Sequence, residues 1–147
     1  MLRKNHVSRE VLLPYSAVQM FDLVNDVAAY PDFLPWCSGS EILDVSTEEM
    51  TARIDVAMGG LRHSFTTCNT LEPARNITLT LVDGPFSDLT GSWTFTQLGE
   101  EGCKVSMQMT FGFSSRLVSM TFGKVFQLAV NQLIDAFCKR AAHIYGE

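Results

Sequence analysis

The spacing of hydrophobic positions changes period along this chain, and each change marks a new kind of element. Val7 to Leu13 is a short β-rich run, stopped by Pro14 and Tyr15. Val18, Phe21, Leu23, Val24 and Val27 then recur at near-helical intervals between Ala17 and Ala29, and Ser16 is placed as the N-cap. After a proline-bounded segment, a strand-like run covers Ile42 to Val45 and period two takes over. Ala52, Ile54, Val56 and Met58 alternate with Thr51, Arg53, Asp55 and Ala57. Gly59-Gly60 follows, with the preferred chemistry of a two-residue hairpin turn. The return run Leu61 to Leu71 sets His63, Phe65, Thr67 and Asn69 on one face. Ile77, Leu79 and Leu81 alternate up to a turn at Asp83-Gly84-Pro85. Leu89 to Leu98 places Trp93 and Phe95 on one face, Gly99 to Gly102 turns the chain, and Cys103 to Phe113 makes the longest alternation. The pattern predicts about seven strands, mostly in consecutive hairpins, and so an antiparallel meander in an α+β fold.

The last thirty or so residues return to helical spacing. Val118, Phe122, Val125, Phe126, Ala129, Leu133, Ala136, Phe137 and Ile144 recur every three or four residues, with Gln127, Asn131, Asp135 and Lys139 opposite. That apolar arc is wider than the ~100° stripe of a surface helix, which predicts a long helix gripped by a curved sheet.

Between the first helical run and the sheet lies Tyr30-Pro31-Asp32-Phe33-Leu34-Pro35-Trp36-Cys37. It is strongly apolar, yet its two prolines argue against a regular helix or a central strand. Such a segment buries itself, covers a cavity or meets an apolar partner, and its position suits the lip of a pocket.

Composition narrows the function classes. The chain has 147 residues and 46% hydrophobic content, enough for one domain over residues 1–147 with a full core. A net charge of −5 argues against bulk electrostatic binding to nucleic acid, DNA included. Arg3, Lys4, His6 and Arg9 nevertheless crowd one end, and Lys139, Arg140 and His143 the other. Val11-Leu12-Leu13 is too short for a signal peptide, and no stretch reaches the ~20 apolar residues of a membrane span. Cys37, Cys68, Cys103 and Cys138 form no CxxC pair and read as small buried hydrophobes, which points to a reduced, cytoplasmic protein.

No catalytic arrangement stands out. His6, His63 and His143 fall on separate elements without metal-ligand spacing, so no metal and no resident cofactor is expected. His63 is expected to point inward beside Phe65 as a packing residue. Asp83-Gly84-Pro85 is ordinary turn chemistry. Met107 and Met109 fit either core filling or an adaptable apolar cavity.

The element order resembles the START-like helix-grip superfamily and, within it, the coenzyme Q-binding and ribosome-association toxin family. The resemblance is carried by Leu13-Pro14-Tyr15-Ser16-Ala17, Met20 to Val24, Asp26-Val27 and Tyr30-Pro31 through Cys37. Phe65-Thr66-Thr67 before Asn69, Leu81 to Phe86, Trp93 and Phe95 continue it, and Gly123, Phe126, Ala136-Phe137, Arg140-Ala141 and Tyr145 complete it. Cys68 and Gly112 depart from the family pattern, which commonly has Arg and Glu there. The resemblance implies a curved sheet around the last helix, in the order β-α-α-β6-α, with a hydrophobic cavity between them.

Three functions follow as expectations. The first is a non-enzymatic carrier or chaperone for ubiquinone or a related prenyl lipid, supporting respiration. Its ligand would lie among Ile54, Val56, Phe65, Trp93, Phe95, Met107, Met109, Phe111, Phe122, Val125, Phe126, Ala129, Leu133 and Phe137. Phe33, Leu34, Pro35 and Trp36 would form the lip, touching a membrane surface transiently, with the protein peripheral at the inner membrane during exchange. The alternative is a toxin that binds the large ribosomal subunit and blocks subunit joining. Polyketide cyclase-like catalysis ranks last, for want of an inward acid–base pair.

Overall fold

The computed structural model describes residues 4–146. The element order is β1 (Asn5–Leu13), α1 (Ala17–Asn25), a 3-10 turn (Val27–Ala29), α2 (Tyr30–Phe33), β2 (Cys37–Val45), β3 (Glu49–Met58), β4 (Leu61–Glu72), β5 (Asn76–Asp83), β6 (Phe86–Leu98), β7 (Gly102–Phe113) and α3 (Arg116–Tyr145). The strands form one antiparallel sheet in the order β1-β7-β6-β5-β4-β3-β2. β2 to β7 are a meander of adjacent neighbours, whereas β1 pairs with β7, from Asn5 opposite Phe111 to Leu13 opposite Cys103. Between β1 and β2 the chain therefore crosses from one sheet edge to the other, and the short helices are that crossing. This is the helix-grip architecture expected from the period changes.

Local chemistry accounts for the element ends. Ser16 and Gln19 form a full capping box at α1, each side chain meeting the other's backbone N–H. Gly59 and Gly60 have φ of 60° and 85°, the pair of positive values that a type I′ hairpin turn needs. Ser115 caps α3 by accepting from the Val118 N–H. At its other end α3 is tied to the start of α1: Tyr15 donates to the Gly146 carbonyl at 2.6 Å and Tyr145 donates to the Gln19 carbonyl at 3.0 Å.

The concave face of the sheet and α3 share an aromatic core. Phe126 is its hub, with ring centroids 4.8 Å from Phe111, 4.9 Å from Phe86, 5.6 Å from Phe122 and 5.7 Å from Phe65. Phe137 anchors a second cluster with Trp93 at 5.4 Å, Phe33 at 5.4 Å and Tyr30 at 5.5 Å. Edge-to-face geometry dominates both clusters, as the ring quadrupole favours.

The structure corrects the sequence reading in several places. Pro31 does not prevent a helix: it occupies the first turn of α2, where its missing N–H is harmless. β2 begins at Cys37 rather than Ile42, because two bulges disguise its alternation. On α3, Ile144 is exposed, while Val130 and Ile134, omitted from the expected arc, are buried. Asn131 does not face only water: its Oδ1 accepts from Arg9 Nη2 at 2.7 Å. Of the N-terminal bases, Lys4 pairs with Asp88 at 3.4 Å, and Arg3 lies outside the described residues.

Candidate functional site

A cavity of about 80 Å³ lies between the sheet, α3 and the α1–α2 crossing. β3 contributes Ala52 and Ile54, β4 Phe65, Thr67 and Asn69, and β5 Ile77 and Leu79. Leu89 and Trp93 come from β6 and Met109 from β7. α3 adds Phe126, Ala129, Val130, Leu133 and Phe137, and the crossing adds Val24, Asn25, Val27, Tyr30 and Trp36. Alternation explains the strand contributions, since residues two apart share a face.

Eight of the residues expected at the cavity do line it: Ile54, Phe65, Trp93, Met109, Phe126, Ala129, Leu133 and Phe137. Val56, Phe95, Met107, Phe111 and Phe122 are buried elsewhere in the core, and Val125 is half-buried against it. The sheet face is longer than the cavity, so an inward-pointing residue need not reach the open space. Phe122 and Phe111 belong to the packed aromatic cluster near the start of α3 instead.

Within the expected lip, Leu34 is 1% and Trp36 6% exposed. Phe33 is half-buried against Tyr30 and Phe137, and Pro35 is exposed. As it stands, Trp36 is a wall of the cavity. Presenting its indole to a bilayer requires this segment to swing away from Phe137.

The polar lining escaped the sequence reading. Thr67 and Asn69 are each 5% exposed, and Thr67 Oγ1 donates to Asn69 Oδ1 at 2.7 Å. Among the described residues, buried Asn25 Oδ1 has no donor. The available signal was two polar residues on the inward face of β4. Tyr30 donates to the Val24 carbonyl, and burial pushes its phenol well above the usual range, so it stays neutral.

His63 takes the expected packing place, its ring 4.5 Å from Phe122. Arg140 stands outside the cavity with its guanidinium 5.0 Å from the Phe33 ring centroid, a cation–π contact, while its buried Nε has no partner. Cys68 on β4 and Gly112 on β7 are separated by β5 and β6 in the sheet, so the two departures from the family pattern are not neighbours here. Among the described residues no group of three or more His, Cys, Asp or Glu side chains could hold a metal ion, and no helix is long and apolar enough to cross a membrane.

Comparison with known proteins agrees with this geometry. Residues 13–138 match the family model described as "Polyketide cyclase / dehydrase and lipid transport". A protein of Pseudomonas aeruginosa named "Ribosome association toxin RatA" is 48% identical over 141 residues, covering 96% of this chain and 98% of the relative. "Coenzyme Q-binding protein COQ10 homolog B, mitochondrial" of Xenopus laevis is 30% identical over 144 residues, covering 95% of this chain and 59% of that protein. The crystal structure of the Zhui aromatase/cyclase from a Streptomyces species superposes with a TM-score of 0.80 at 19% identity, covering 95% and 94% of the two chains, and so shares the fold. The chain belongs to the START-like polyketide cyclase/dehydrase and lipid-transport family.

Proposed function

We propose that this protein acts by binding rather than by catalysis, and that its principal partner is the ribosome, through the large subunit. The observation that carries this reading is the near-full-length similarity to a protein named for ribosome association. The geometry supplies a compatible surface. Arg9 is held on Asn131, and Lys139 lies exposed two turns further along that side of α3, with Asp135 between. Arg9 and Lys139 thus lie along one helix, although the whole chain carries a net charge of −5. Co-sedimentation with isolated large subunits tests the proposal. The protein is expected to pellet with them at low salt, less so as salt rises, and Lys139→Glu is expected to weaken the association. Failure to co-sediment at any salt concentration overturns it.

The cavity favours a second reading, in which an apolar ligand of the prenyl-quinone kind occupies the space beneath α3. At about 80 Å³ the cavity is smaller than the ~150 Å³ that accepts benzene in an engineered core, so a long tail requires side chains or the α2 segment to move. Each CH₂ taken up contributes ~0.8 kcal/mol, enough to offset modest rearrangement. Ligand exchange at a membrane would proceed by the outward swing of Leu34 and Trp36, with a cytoplasmic protein peripheral at the inner membrane during transfer. Organic extraction of purified protein followed by mass spectrometry is expected to recover an apolar ligand. Recovery of none from protein purified without detergent counts against this reading. Cyclase-type chemistry has little support, since Tyr30 is the sole titratable residue in the cavity lining among the described residues, and it is held neutral.

A further inference from the structure

The cavity under α3 is greasy but not featureless, and its polar groups are all uncharged. Thr67 and Asn69 project from adjacent inward positions of β4, among neighbours such as Ile54, Ile77 and Leu79. A buried polar side chain in such surroundings costs free energy unless it is paired. Thr67 and Asn69 satisfy each other only in part. One hydrogen bond joins Thr67 Oγ1 to Asn69 Oδ1, so Thr67 fixes the Asn69 amide with its oxygen engaged and its Nδ2 as the end that can donate to a guest. Asn25 on α1 lines the same space and has a buried carbonyl oxygen without a donor among the described residues. Apolar residues at these positions would pack the core without that cost. The unpaired Asn25 oxygen in an otherwise apolar lining is what a ligand's own hydroxyl would relieve.

The charge pattern limits what that group is. No Asp, Glu, His, Lys or Arg is among the described residues lining the cavity. Tyr30 stays protonated and spends its hydroxyl proton on the Val24 carbonyl. A carboxylate or phosphate drawn into this space would lose its water and find no cation, which costs several kcal/mol. Arg140 lies outside, above Phe33, where it would meet a charge only at the mouth.

We propose that Asn69, oriented by Thr67, forms with Asn25 the head-group site of the cavity, and that the site takes an uncharged apolar ligand bearing a hydroxyl or carbonyl oxygen. The ligand oxygen accepts from Asn69 Nδ2, and a hydroxyl head also donates to Asn25 Oδ1. The hydrocarbon part lies against Trp93, Phe126, Leu133 and Phe137. This rests on the ligand-binding reading above and adds which head group is selected.

Three prenyl probes test it on the whole protein by titration calorimetry: geraniol, its acid geranate, and the oxygen-free hydrocarbon myrcene. At neutral pH geraniol is expected to bind about tenfold or more tighter than either of the others, the equivalent of ~1.4 kcal/mol. Geranate is expected to gain affinity as the medium is acidified and it becomes neutral. Asn69→Leu is expected to abolish the preference for geraniol over myrcene while keeping myrcene binding. If Asn69→Leu does not fold, Asn25→Leu, at a half-buried position, is expected to reduce the same preference. Equal binding of geraniol and myrcene by the unaltered protein overturns the head-group site but leaves the apolar cavity as a ligand site. Geranate binding as tightly as geraniol at neutral pH overturns the selection for uncharged heads and shifts the site to Arg140. If none of the three binds, the ligand-binding reading falls and the head-group site with it.

Discussion

Phe126 shows how much one side chain can carry in this core. Its ring meets aromatic partners on β4, β6 and β7 as well as Phe122 on its own helix. Phe126→Ala is expected to destabilise the protein by ~3–5 kcal/mol, because the rigid rings around it cannot collapse into the space. Val125→Ala, one position away and half-buried, is expected to lose much less, and urea denaturation of both variants checks the contrast. Cys37 offers a pH-dependent counterpart. Burial pushes its thiol up to about 11 from 9.0, a backbone hydrogen bond at Gly39 opposes that, and Asp55 adds to the rise. The folded state therefore holds the thiol proton at pH values where the unfolded chain releases it. Stability from this group is complete below pH 9 and is lost as the pH rises towards 11. Thermal unfolding from pH 8 to pH 11 is expected to show this decline, and Cys37→Ala is expected to make the curve flatter over about the same interval. Identical slopes would remove Cys37 from the account.

At the scale of elements, the turn between β5 and β6 turns out to be more than a change of direction. Asp83 Oδ1 accepts from the Gly84 N–H, which is ordinary turn chemistry and agrees with the sequence reading. Gly84, however, has φ of 147°, and a Cβ added there would sit 2.7 Å from Phe65 Cβ and 3.2 Å from Phe65 Cα. The turn packs its backbone directly onto β4, beside the ring that reaches the cavity. Gly84→Ala combines backbone strain with a clash that backbone atoms cannot easily relieve. It is expected to cost ~2 kcal/mol or more, read as a lowered unfolding midpoint in urea. A substitution within ~0.5 kcal/mol of the parent would show that the turn has room to move. The same close approach explains why a Gly stands at this point of the turn.

For the whole molecule, the decisive question is whether the space beneath α3 serves a ligand or is only an imperfect packing. Ala129 lines that space and is 1% exposed. Ala129→Trp puts a large ring where about 80 Å³ is free, and overpacking is expected to cost ~1–3 kcal/mol. If the cavity binds ligand, affinity for a prenyl probe is expected to vanish while unfolding stays cooperative. If ribosome association uses only the outer side of α3, co-sedimentation with large subunits is expected to persist in the same variant. Loss of both together would mean that cavity and surface act as one unit, with the occupancy of the cavity felt along α3.

Much of the fold was legible before any coordinates. Alternation is a local property, so the strands from Glu49 to Phe113, their turns at Gly59-Gly60 and Asp83-Gly84-Pro85, and the long last helix could be read from residue types in order. The broad arc of α3 also implied a sheet on more than one side of it. Three things depended on tertiary structure. Bulges hid the first half of β2, since a bulge inserts a residue and breaks the period that reveals a strand. Trp36 and Leu34 read as a pocket lip because they are apolar residues flanking Pro35, but their burial depends on what the rest of the chain brings over them. The cavity divided the inward face in a way no periodicity encodes. Met107 and Met109 have the same local pattern, yet only Met109 reaches the open space, because the path of α3 over the curved sheet sets where packing stops. The head-group site belongs to this last class: Asn25 and Asn69 are distant in sequence, and only the crossing of α1 from one sheet edge towards the other sets them against the same cavity.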